Sequence, residues 1–165
     1  MEIPGYQRVE HLHCFENACR RARLWRLWRR LTGRPQRLLP FAPIYARLKQ
    51  RTSHHRGIQE IPLHQIVGSL DKASHFDRSF RPLYGELRER WLTVKMLQVW
   101  HGWEPIVVHK IANLYFVEDG HHRVSVARDA GLDVIEATVI EYPLAYRFDV
   151  DDSLETIVHC LEGGA

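Results

Sequence analysis

VEDGHHRVSVARDA, Val117 to Ala130, is the stretch on which the fold turns. Before it, Leu114 to Val117 is apolar, β-branched or aromatic, the composition of a buried strand. After Gly120 the pattern changes. His121 to Ala130 carries its apolar residues at helical spacing, and Gly131 stands where helices commonly end. A strand therefore runs into a helix through Asp119 and Gly120. Upstream, Pro105 to His109 reads as a second strand, joined to the first by a tight turn near Ala112 and Asn113. Downstream, Val134 to Glu141 is a third strand.

Working outward, Gly85 to His101 reads as a helix with Leu87, Trp91, Val94 and Leu97 along one face, ended by Gly102. Trp91 is expected in the core. IQEIPLHQI, from Ile58, alternates loosely and contains Pro62, which confines it to the edge of a sheet. Gly68 to Pro82 has no clear period. The order is that of an α+β domain: a small mixed sheet with an N-terminal basic helical extension. Three regions follow: the extension at 1–57, the sheet domain at 58–141, and an acidic tail at 142–165 with a short helix at Ser153 to Leu161.

The extension begins with a helix, Val9 to Leu31. Leu24, Leu27, Trp28 and Leu31 recur at i, i+3, i+4 and i+7, an apolar face that can pack on the body or another subunit or lie on lipid; Arg23, Arg26, Arg29 and Arg30 fall on the other side. Gly33 and the prolines at 35, 40 and 43 end the helix and open an irregular connector. A short helix is expected at Ile44 to Gln50 and a loop at Arg51 to Gly57. Charge is unevenly spread. Arg20 to Arg56 holds twelve Lys or Arg and no acid, whereas the remainder holds eleven basic and twenty acidic residues, a balance of −9. Such an arm suits nucleic acid, an anionic membrane surface, or an acidic partner subunit. Arg with interleaved Trp favours non-specific DNA, with Arg23, Arg26, Arg29 and Arg30 as the contacts.

The 165 residues are 45% hydrophobic, enough for a core and too apolar for a disordered chain. No apolar run reaches the roughly 20 residues of a membrane span, and MEIPGYQRVEHLHC lacks the signature of a secretory signal, so a cytoplasmic protein is expected. Three cysteines, Cys14, Cys19 and Cys160, do not make a disulfide framework. His11, His13, Cys14 and Cys19 lack a second matched ligand pair, so no metal site is expected.

The chemistry concentrates at the strand–helix turn. A helix start presents unpaired N–H groups and a partial positive charge, and anions bind there. Gly120 admits close approach of a ligand. His121, His122 and Arg123 place up to three cationic donors in the first turn, where they oppose the helix dipole unless an anion is bound. Asp119, Gly120, His121, His122 and Arg123 are therefore the candidate nucleotide or phosphate site. The plainer alternative makes Asp119 a simple N-cap and the histidines surface residues.

IPLHQI at 61–66, GELRERW at 85–91 and YFVEDGHHRVSVAR at 115–128 together resemble the ParB N-terminal/sulfiredoxin-like superfamily, over about Ile58 to Glu141. The superfamily includes ParB-type nucleotide-binding domains, sulfiredoxin and a free-serine kinase. The resemblance implies that the Gly–x–x–Arg turn, here Gly120 to Arg123, grips nucleotide phosphates: ATP, ADP or CTP, with Mg²⁺. His121 falls where sulfiredoxin has its reactive cysteine, which argues against that reductase activity. His122 matches sulfiredoxin's histidine, and the kinase branch has a similar Gly–x–His–Arg turn. IPLHQIVGSLD resembles the first conserved box, so Ser69 and Asp71 are expected to face the same cleft. If the chain is a small-molecule kinase, the resemblance implies a carboxylate base, Asp71 with Asp77 behind it. The expected function is a ParB-like nucleotide-binding protein associated with DNA through its arm. The alternatives are the kinase and an arm that binds membrane or another subunit, including a homo-oligomer. Only about 24 residues follow Glu141, too few for the helix-turn-helix reader of partition proteins.

Overall fold

The structure, a computed structural model, describes residues 5–33, 36–48 and 51–163, with side chains other than those of 5–12 and 98–101. Its elements run α1 (Gly5–Leu31), β1 (Leu39–Pro40), α2 (Ala42–Leu48), β2 (His54–Pro62), β3 (Ile66–Ser69), α3 (Arg88–His101), β4 (Ile106–Ile111), β5 (Leu114–Asp119), α4 (His121–Asp129), β6 (Val134–Tyr142) and α5 (Leu154–Gly163). The six strands form one sheet in the order β1-β3-β5-β4-β6-β2. The sheet is mixed: β4 and β5 form the antiparallel hairpin, while β3 lies parallel to β5 and β4 parallel to β6. The expected α+β class and mixed sheet are both present.

Alternation along the strands builds a core on each face of the sheet. In β5, Tyr115 and Val117 join Ile106, Val108, Val124, Ala127, Phe76 and Phe80 beneath α4. Leu114 and Phe116 point the other way, to Phe41, Ile44, Leu48, Ile157 and Leu161 of the α2–α5 layer. A third cluster, Phe15, Trp91, Leu92 and Val126, forms where α1, α3 and α4 meet. Trp91 is fully buried, as expected, and its indole N–H donates to Ser125 Oγ at 3.0 Å.

Several elements differ from the sequence reading. The expected loop at 51–57 is already strand from His54, paired with β6 as far as Glu141. β3, buried throughout and lying between β1 and β5, straddles the end of the expected strand at 58–66 and the start of the unassigned stretch at Gly68. Gly68 makes that possible: a side chain there would stand 2.3 Å from the Phe116 ring and 2.5 Å from the Leu39 carbonyl. Residues 36–48, grouped with the arm in the sequence reading, belong to the core through Leu38, Leu39, Phe41, Ile44 and Leu48. The acidic tail joins them through Phe148, Ile157 and Leu161. Gln50, the expected end of the short second helix, lies outside the described residues.

In α1 the correction concerns Arg29, expected on the outward side. The buried side of the helix is Phe15, Ala18, Ala22 and Arg29. The apolar stripe does not pack on the body: Leu24 is 71% exposed, Leu27 58% and Leu31 79%, with Trp28 at 50%. Small alanines let α1 approach the body closely, and Arg29 is neutralised there by an ion pair with Asp151. Local hydropathy favours the leucine stripe because that distant partner is invisible to it.

Candidate functional site

Gly120 opens the site. It is the N-cap of α4 in the left-handed region, φ 102°, with no side-chain cap. A Cβ at this position would stand 2.4 Å from Ile106 Cγ2, so backbone conformation and packing both call for glycine. The first helical hydrogen bond runs from the Val124 N–H to the Gly120 carbonyl at 3.0 Å. The N–H groups of His121, His122 and Arg123 precede that bond and have no acceptor within the helix. Asp119 is not the cap; its carboxylate is exposed and pairs with the Arg123 guanidinium.

His121 is 3% exposed. Its Nε2 lies 2.7 Å from Ser69 Oγ and 3.6 Å from Asp71 Oδ1. Ser69 also accepts the Lys72 N–H at 2.8 Å, which folds the chain after β3 back over the start of α4. Beneath lie Phe76 and Phe80, both stacked on His121; Phe76 also meets His122 edge-on at 5.4 Å. Burial pushes His121 down to about 4, with Lys72 and His75 adding to the effect against Asp71 and Asp119. Burial likewise pushes His122 down to about 4, reinforced by Lys72, Arg90, His121 and His75. His122 Nδ1 is buried without a hydrogen-bond partner. Both histidines are therefore neutral donor–acceptor groups at neutral pH, and the expected count of three cations in the first turn is corrected.

Arg123 is committed as well. Its Nη1 donates to the carbonyls of Glu104, at 2.6 Å, and Pro105, at 3.1 Å, while its Nη2 pairs with Asp119. It clamps the entry to β4 over Gly120. The cations that bear on His122 come from elsewhere: Lys72 after β3 and Arg90 on α3, with the His75 imidazole near them. Sequence reasoning named none of these three as site residues, although Arg90 lies in the GELRERW segment and Lys72 directly follows the IPLHQIVGSLD box.

Asp71 and Asp77 separate. Asp71 is largely exposed beside His121. Asp77 is fully buried, and its Oδ1 accepts the N–H groups of Ser79 and Arg81, each at 2.9 Å. Burial holds its carboxyl above the usual range, against the pull of Arg81 and Arg128. Asp77 thus fixes the turn that carries Phe80 at φ 57°. Arg128, at the far end of α4, donates to the carbonyls of Ile66, at 2.8 Å, and Leu63, which seats β3 against α4. That contact places Ser69 next to His121.

Of the four arginines expected on DNA, Arg29 is internal, 6% exposed and paired with Asp151, and Arg26 is partly buried. Arg23 and Arg30 are exposed. Among the described residues no three His, Cys, Asp or Glu side chains gather as a metal site, and no helix is long and apolar enough to cross a membrane. The side chain of His11 lies outside those described.

No family model matches the sequence, and no curated protein matches it. Among solved structures, the chain is similar to the crystal structure of sulfiredoxin from Arabidopsis thaliana. The identity is 21% and the TM-score 0.37, over 50% of this chain and 82% of that one. A likeness at this level assigns no activity.

Proposed function

We propose that the chain binds a phosphate-bearing ligand, a nucleotide such as ATP, ADP or CTP with Mg²⁺, at the start of α4. The observation that carries this reading is the helix start itself: Gly120 leaves it without a side-chain cap, and the buried His122 Nδ1 beside it has no hydrogen-bond partner. After burial, the charges of Lys72 and Arg90 bear most on His122. Cations gathered at the positive end of a helix repel one another and the dipole, and a phosphate relieves both. In this reading the N–H groups of His121 to Arg123 hold the phosphate, assisted by His122, Lys72 and Arg90. Arg123 keeps the turn in shape. The nucleotide class, and the divalent ion with it, come from the superfamily resemblance of the turn.

Thermal shift with ATP, ADP and CTP in the presence of Mg²⁺ tests the reading. A ligand at a hundred times its Kd stabilises by about 2.7 kcal/mol through mass action. Lys72→Ala and Arg90→Ala remove side chains that hold no part of the core, so both variants should fold and lose most of the shift. Equal shifts in wild type and both variants would rule out this site.

One observation supports a transfer reaction as a second reading. Asp71 is exposed at the rim, with Oδ1 3.6 Å from His121 Nε2, where a carboxylate can accept a proton from a hydroxyl substrate. In that case Asp71→Asn removes turnover and spares nucleotide affinity.

A further inference from the structure

The arm presents two stripes: one faces the body, and the other is largely exposed. Phe15, Ala18, Ala22 and Arg29 face the body. At 3.6 residues per turn, Leu24, Leu27, Trp28 and Leu31 occupy a band roughly 100° wide on the opposite side. Their exposures, 71, 58, 50 and 79%, make this a continuous apolar surface. Exposed Arg20 lies on the same side one turn earlier, and exposed Arg23 and Arg30 run along one edge. From Asn17 to Gln59 there is no Asp or Glu.

Both components must be matched by one occupant. Nucleic acid answers the arginines and leaves the leucines in water. A second copy packed stripe to stripe about a two-fold axis answers the leucines and sets arginine against arginine, with no acid on this part of α1 to offset them. Acids of the body already pair with the basic segment: Asp129 with Arg21, Asp151 with Arg29, Glu162 with Arg47 and Glu141 with Arg56. An anionic lipid surface answers both, because acyl chains take the leucines and headgroup phosphates take the arginines. No described helix crosses a membrane, so such contact lies in the plane of the interface.

We propose that the Leu24–Leu27–Trp28–Leu31 face of α1, with Arg20, Arg23 and Arg30, docks the protein on an anionic bilayer surface. The test is co-sedimentation of the full chain with vesicles of phosphatidylcholine, alone or mixed with phosphatidylglycerol. Binding is expected to the mixed vesicles only, and to weaken as salt rises. Leu24→Ser, Leu27→Ser and Leu31→Ser combined should reduce it by more than about tenfold, since each buried leucine adds to interfacial affinity. The Arg20→Gln, Arg23→Gln and Arg30→Gln combination should reduce it as well. All six side chains are exposed, so melting temperatures should match wild type and loss of binding cannot be ascribed to unfolding. Wild-type protein that ignores mixed vesicles, or a serine variant that binds them as wild type does, overturns the proposal. So does a dimer abolished by the serine variant without vesicle binding, which makes the stripe a subunit interface. Duplex DNA binding that survives the serine variant, again without vesicle binding, assigns the face to nucleic acid.

Discussion

Two neighbouring histidines, both held near a pKa of 4 instead of the ordinary 6.5, give the turn at Gly120 a measurable signature. The unfolded chain takes up protons between pH 6.5 and 4 that the folded chain refuses. Stability is therefore full above pH 6.5 and lost as pH falls toward 4. A depression of this size corresponds to about 3 kcal/mol for each histidine, less in sum because His121 also bears on His122. Urea unfolding across this range should show the decline in wild type and a shallower one in His122→Gln. Parallel curves would mean that His122 titrates normally in the fold. Bound phosphate favours the protonated form of His122, so affinity should rise through the same window. At this scale the sequence disclosed the strand–helix turn of the candidate site. Gly120, His121, His122 and Arg123 open α4 as the DGHHR reading expects, and Asp71 lies beside His121. Their charge states were not legible, because burial beneath Phe76 and Phe80 depends on a turn held by Asp77 and on a strand seated by Arg128.

Elements with strong local signals, such as the β4–β5 hairpin with its turn at Ala112, α4 and β6, follow the sequence reading within a few residues. Elements fixed by distant partners do not. β3 is four residues long and has no period to detect, yet it is central. α1 was legible as a helix, but its inward side was not, since Arg29 is buried only because Asp151 meets it across 122 positions. Breaking a buried ion pair leaves a charge uncompensated. Asp151 retains about a third of its side-chain exposure, which softens the cost. Arg29→Ala should therefore lose about 2 kcal/mol, visible as a lower urea midpoint, whereas Arg23→Ala should leave the midpoint unchanged. Equal effects would place both arginines on the surface and contradict the observed face of α1.

Across the whole molecule, the charge asymmetry of the sequence resolves into contacts between its two parts. Among the described residues, arginines of the basic segment meet acids of the body and tail at four pairs. These are mostly surface pairs of small individual worth: they link α1 to α4 and the tail, α2 to α5, and β2 to β6. The arginine-edged leucine face of α1 is exposed, and apart from it stands the uncapped start of α4, where Asp119 is exposed and the two histidines are buried. The central claim is that this helix start holds a phosphate. Titration of ¹⁵N-labelled protein with Mg²⁺–ATP, and separately with pyrophosphate, tests it most directly, because the backbone amides of His121, His122 and Arg123 report any acceptor placed on them. Saturable shifts centred on these three amides, much weakened in Lys72→Ala, are the predicted result. Amides 121–123 that stay in place while resonances elsewhere saturate, or that do not respond to either ligand, would contradict it.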